Sequence, residues 1–120
     1  ACLYNQESLK IEDRLAEMID VVGFNEYFGW YDEDVADLAR ILDNYDLGKP
    51  LLITETGCDV VTGLAGGADT PNTEAFGRRY FRDQIATVEN HPAVSGFAPW
   101  ILYDFRTERR QNRFQRGWNR

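Results

Sequence analysis

One histidine, His91, serves the whole chain of 120 residues. It stands beside Pro92 at the expected end of a helix, where an imidazole caps carbonyls more often than it catalyses. A Ser-His-Asp triad or a multi-histidine metal centre therefore has little to build on. Cysteine is nearly as scarce. Cys2 and Cys58 show neither metal-ligand spacing nor a disulfide framework, and each reads as a small buried thiol near a strand end. No metal and no cofactor is expected. No apolar run approaches membrane-spanning length, so no membrane partner is expected. No signal or transit peptide and no initiating Met is present, and a cytoplasmic location is expected over a secreted one. Phosphate-binding glycine motifs are missing too: there is no G-x-G-x-x-G, and Gly63 to Gly67 lacks the Lys that a P-loop requires. No repeat or low-complexity segment stands out.

What is present suits one globular domain. Apolar residues make up 43% of the chain, enough for a core, which argues against disorder. Ala1-Cys2-Leu3-Tyr4 reads like the end of a strand, and Trp118-Asn119-Arg120 stops within a polar loop, so a longer parent is expected. The net charge of −7 conceals an asymmetry. Arg106, Arg109, Arg110, Arg113, Arg116 and Arg120 face Glu108 alone, and the remainder is acidic. Interleaved with Phe114 and Trp118, this segment could touch nucleic acid, or line an anionic or polyol-binding cleft.

Helical periodicity alternates with apolar runs. Residues 11–19 put Ile11, Leu15, Met18 and Ile19 on one helical face. Asp20 to Tyr27 reads as a buried strand. Asp32 or Asp34 can cap a helix with Val35, Leu38, Leu42 and Tyr45 as its apolar stripe, and Gly48 follows it. A strand over 50–56 and a Gly-, Asp- and Thr-rich loop over 57–71 come next. Asn72 or Thr73 caps a third helix, with Phe76, Tyr80, Phe81, Ile85 and Val88 buried. Asn90-His91-Pro92 ends it, and a last strand runs from Ala93 to about Asp104. Strands alternating with helices imply parallel pairing with right-handed crossovers. A doubly wound sheet and part of a (β/α)8 barrel both fit.

Three strand ends carry groups that could do chemistry. Leu51-Leu52-Ile53-Thr54-Glu55 is an apolar strand ending on a carboxylate, with Gly57 just beyond. In strand-helix proteins the loops after the strands' C-terminal ends build the active site. Asn25-Glu26-Tyr27-Phe28-Gly29-Trp30-Tyr31 ends the preceding strand. Alternation there sends Asn25 and Tyr27 to one face, Phe24 and Glu26 to the other. Pro99-Trp100-Ile101-Leu102-Tyr103-Asp104 ends the last strand. Aromatic faces stack on pyranose rings, and carboxylates and amides bind hydroxyls, so the three ends together describe a sugar site.

Phe24-Asn25-Glu26-Tyr27-Phe28-Gly29-Trp30-Tyr31, Ile53-Thr54-Glu55-Thr56-Gly57, Trp100 with Asp104-Phe105, and Gly117-Trp118-Asn119 resemble, in order and spacing, the family 2 glycoside hydrolases of β-glucuronidase type. The resemblance covers residues 1–120. It implies the C-terminal half of a catalytic (β/α)8 barrel, about strands 5 to 8, and a retaining β-glucuronidase or β-galactosidase. Glu55 would be the nucleophile and Tyr27 the residue that orients it. Asn25, Tyr31, Trp100 and Asn119 would bind substrate. Asn119 matches the Asn of an Asn-x-Lys motif that holds a uronate carboxylate, the Lys falling at position 121. The acid/base Glu would lie on strand 4, outside the chain, so the chain alone is expected to be inactive. Glu26 is read as structural, and Leu64-Ala65 stands where relatives often carry Leu-His. The expected partner is a β-glucuronide or β-galactoside, with no nucleic acid. Half a barrel would expose sheet edges, so self-association is expected, with a homo-oligomeric parent. The alternative is a nonenzymatic strand-helix module that binds an acidic partner through its Arg-rich C-terminal segment.

Overall fold

The computed structural model describes residues 1–31 and 34–119. The elements in chain order are β1 (Tyr4–Asn5), β2 (Lys10–Ile11), α1 (Leu15–Met18), β3 (Val22–Asn25), α2 (Val35–Asp43), β4 (Leu51–Thr56), α3 (Glu74–Val88), β5 (Val94–Pro99), β6 (Phe105–Arg106) and β7 (Trp118–Asn119). β3, β4 and β5 form a parallel sheet in sequence order. Cys2 adds a single parallel bridge to Phe24, on the other side of β3. β1 pairs with β2, and β6 with β7, as short antiparallel ladders. The chain is thus α/β with a parallel sheet and two small antiparallel pairs. α2 and α3 touch each other, as expected of right-handed crossovers between sequential parallel strands, which put both helices on one face of the sheet.

The core lies between that face and the helices. Val22 and Phe24 of β3, Leu51 and Ile53 of β4, and Leu38, Ile41 and Leu42 of α2 are buried in one cluster. A second cluster of Cys58, Phe76 and Tyr80 joins the loop after β4 to α3.

Local chemistry sets the helix starts. The Asp34 carboxylate accepts from the Ala36 amide at 3.0 Å, and Thr73 Oγ1 accepts from the Phe76 amide at 3.1 Å. Asp32, the other candidate for the first cap, and Arg120 lie outside the described residues.

Three expected elements differ from those observed. The helix over 11–19 shrinks to α1. Ile11 pairs with Tyr4 across the antiparallel ladder, and Asp13 accepts from the Leu15 amide, which delays the helix. Its expected apolar face is largely open, with Met18 80% exposed. On α3, Ile85 is turned outward and Gln84 is fully buried, donating from Nε2 to the Phe28 carbonyl at 2.8 Å. A polar residue recruited to the core is invisible to hydrophobic periodicity. The last strand ends at Pro99 instead of about Asp104. The chain leaves the ladder after the Trp100 amide bonds the Thr56 carbonyl at 2.6 Å.

Candidate active site

Glu55 sits near the C-terminal end of β4, the central strand. A register shift between Phe24 and Asn25 gives β4 one residue more than β3 there, so Asn25 pairs with Glu55 instead of Thr54. A bulge of this kind re-aims the side chains beyond it. Here it sets both polar side chains side by side. Asn25 Nδ2 donates to Glu55 Oε2 at 3.2 Å, and Thr54 Oγ1 donates to Asn25 Oδ1 at 2.8 Å, which fixes the way the amide faces. The Tyr27 hydroxyl donates to Glu55 Oε1.

Burial, and then this hydrogen bond to the carboxylate, push the Tyr27 phenol well above the usual tyrosine range. It stays protonated at working pH and keeps its donor role. Among the described residues no cation forms an ion pair with Glu55. The carboxylate is held by two neutral donors and remains half-buried, open to a cleft.

That cleft has a volume of about 90 Å³, below the usual range for small-ligand sites. Tyr27, Tyr31, Glu55, Trp100, Arg110 and Asn119 are on its walls. Tyr31 is 54% exposed, its ring 5.3 Å from that of Tyr27. Trp100 Nε1 donates to Asn119 Oδ1 at 3.1 Å, so the end of β5 is pinned to β7. The Trp100–Ile101 peptide is cis. Asn25 reaches Glu55 from beside the cleft and is not on its walls. Glu26 points the other way. It is buried, and its Oε2 accepts from the Phe28 amide at 2.8 Å and from Gln84 Nε2 at 3.5 Å.

Arg110 of the Arg-rich segment lines the cleft, and so do Cys58 and Asp59, which sequence reasoning did not place there. Gln115 donates from Nε2 to Asp59 Oδ2 in a buried pair that ties the Arg-rich loop to the loop after β4. No local signal marks a contact between residues so far apart in sequence. The loop's arginines are partly occupied by its own aromatics: Arg106 stacks over Trp118 at 4.2 Å and Arg113 over Phe114 at 4.4 Å. Burial first, then the neighbouring Asp59 charge, push the Cys58 thiol up to about 12. Cys58 should therefore resist iodoacetamide at pH 8 in the folded protein and react once denaturant exposes it, as mass spectrometry would read. Rapid alkylation of the native protein at pH 8 would contradict that placement. Among the described residues no His, Cys, Asp and Glu cluster could hold a metal ion, and no helix is long and apolar enough to cross a membrane.

A carboxylate on a central strand end, two donors holding it and an aromatic beside it thus meet at one cleft. No family model matches the chain. A curated β-glucuronidase from Streptococcus agalactiae is 30% identical over 104 residues, covering 79% of this chain and 17% of that protein. A crystal structure of a GH2 β-galacturonidase from Eisenbergiella tayi bound to galacturonate superposes with a TM-score of 0.76 at 27% identity, over 89% of this chain and 21% of that one. A Bifidobacterium dentium β-glucuronidase complexed with coumarin-3-O-glucuronide gives a TM-score of 0.66 at 31% identity, over 75% of this chain and 16% of that one. This chain is β-glucuronidase-like. The β-glucuronidase-like segment spans about one sixth of the curated relatives it matches, 17% of each.

Proposed function

We propose that residues 1–120 are the C-terminal half of the catalytic (β/α)8 barrel of a retaining β-glycosidase, with Glu55 as its nucleophile. One observation carries the reading: the Glu55 carboxylate, held by Tyr27 and Asn25, faces the cleft that Trp100 and Asn119 close. The order of parallel bridges, Cys2 to β3 to β4 to β5, supports the barrel. Sequential parallel strands with both helices on one face suit a barrel wall better than a doubly wound sheet, whose strand order reverses.

In this reading a Glu55 oxygen attacks the anomeric carbon, and the bond from that carbon to the aglycone oxygen breaks. The leaving oxygen takes its proton from a second carboxylic acid about 5–5.5 Å away, contributed by residues outside this chain. Water then attacks the same carbon, the ester bond to Glu55 breaks, and the water's proton passes to that second carboxylate. Tyr27 and Asn25 hold the carboxylate in line for attack. Trp100 presents its ring to the sugar, Tyr31 lies at the substrate pocket, and Asn119 contacts the carboxylate of a uronate. The relatives' substrates suggest a β-uronide, or the related β-galactoside.

A uronate-configured cyclophellitol aziridine tests this in the full-length polypeptide. Opening its ring breaks a C–N bond, forms an ester to the nucleophile and leaves a protonated amine. Peptide mass mapping should find the adduct on Glu55. Label on Asp59 or Glu26 instead, or no label, would overturn the assignment.

A further inference from the structure

Two polar side chains stand in the buried face of α3. Phe76, Tyr80, Gln84 and Val88 recur there at four-residue intervals, so they share one side of the helix. Gln84 is fully buried, where an amide is unfavourable unless its polar atoms are bonded. Its Oε1 has no hydrogen-bond partner among the described residues. An apolar side chain of similar length would fill the same space without that unpaired oxygen. What sets Gln84 apart is its donor, and the donor goes to the residue after Tyr27: Nε2 bonds the Phe28 carbonyl at 2.8 Å.

The Phe28 amide is engaged as well. It donates to Glu26 Oε2 at 2.8 Å, and Gln84 Nε2 lies 3.5 Å from that same oxygen. Both backbone polar groups of Phe28 are thus bonded from the core side. On the other side of Tyr27, the Glu26 amide donates to the Glu55 carbonyl at 2.9 Å. One turn earlier on α3, the Tyr80 hydroxyl stands 2.9 Å from Thr56 Oγ1 in a buried pair. Thr56 follows Glu55 in β4. A single helical face therefore grips the residue after the carboxylate and the residue after the tyrosine that donates to it.

We propose that Tyr80 and Gln84 are positioning residues, which set the Tyr27 hydroxyl against the Glu55 carboxylate from behind the cleft. This rests on the hydrolase reading above. Neither side chain lines the cleft, so neither touches substrate. They act on the attack by Glu55 and leave the wall of Trp100 and Asn119 alone, so their loss falls on kcat and spares KM.

The test is a double-mutant cycle on the full-length polypeptide with a nitrophenyl β-glucuronide. Gln84→Met keeps the length of the side chain without its donor, and should lower kcat roughly 5- to 50-fold. Tyr80→Phe removes only a hydroxyl, and should lower kcat roughly 3- to 10-fold. KM should change less than about threefold in both. In a Tyr27→Phe background, itself reduced in kcat, neither substitution should cost more than about a further factor of two, because the bond they align is already gone. A core residue without this role would give losses that multiply in that background, and multiplying losses would overturn the proposal. So would wild-type kcat in any of the three folded single variants, or a loss carried mainly by KM. Should Gln84→Met fail to fold by circular dichroism, the cycle with Tyr80→Phe decides by the same criteria. Glu55→Gln, run in parallel, separates the two readings. If it spares turnover, the hydrolase reading has failed. If it abolishes turnover while Gln84→Met and Tyr80→Phe keep wild-type kcat, only the role of α3 has failed.

Discussion

Glu55→Gln in the full-length polypeptide should lower turnover of a nitrophenyl β-glycoside by roughly four orders of magnitude or more. The amide matches the carboxylate in shape but cannot form the glycosyl ester. The site around it should survive. Glu55 is half-buried, and its amide oxygen can still accept from Tyr27, while Asn25 Nδ2 would lose its acceptor at Oε2. One hydrogen bond to a carboxylate lost at a half-buried position costs about 1.5–3 kcal/mol, so the variant should stay folded by circular dichroism. Activity within tenfold of wild type would sink the nucleophile assignment. The 120-residue chain alone should be inactive even with Glu55 intact. Of its own carboxylates near the cleft, Asp59 is held by Gln115, and Glu26 faces the core. Neither is free to protonate a leaving oxygen. Measurable turnover by the isolated chain, abolished by Glu55→Gln, would overturn that expectation.

Gly57→Ala should be nearly as damaging, through position rather than chemistry. Gly57 is buried between β4 and the end of β5. A Cβ added there would collide with the Trp100 carbonyl oxygen and sit 3.4 Å from its carbonyl carbon. Both atoms are backbone, tied by the bond from the Trp100 amide to the Thr56 carbonyl, so no flexible side chain can yield. Overpacking of this kind costs about 1–3 kcal/mol. Relief would have to move Trp100, and with it the hydrogen bond to Asn119. A displacement near 1 Å of a group that positions substrate costs roughly a hundredfold in rate. The intact protein should therefore lose about that much kcat/KM, together with a lower urea midpoint. Gly67→Ala is the control: nothing lies within 4 Å of its added Cβ, and it should be close to neutral. Wild-type activity and stability in Gly57→Ala would show that the approach of the two backbones is not needed.

Much of the site was legible because its parts are local. A buried strand that ends on Glu55 before a Gly turn, and the alternation that separates Tyr27 from Glu26, are patterns within a few residues. The caps Asp34 and Thr73 were legible for the same reason, since a side chain bonds an amide two or three positions on. The stretch beyond Pro99 was not. Ile101, Leu102 and Tyr103 look like strand residues, yet Leu102 is 85% and Tyr103 78% exposed. Hydrophobicity records what a residue prefers, and here the chain leaves the ladder all the same.

The residues alone determined an α/β order, a carboxylate at a strand end, aromatics at the neighbouring ends, and the likeness to β-glucuronidases. Tertiary structure decided the pairings that turn those pieces into a cleft. An extra residue in β4 aligns Glu55 with Asn25, and Asp59 meets Gln115 from 56 positions away. Arg110 is carried to the cleft by the ladder between β6 and β7. Strand and helix preferences act over a few residues. Register and long-range contacts are chosen by the packing of the whole sheet, which no short stretch of sequence records.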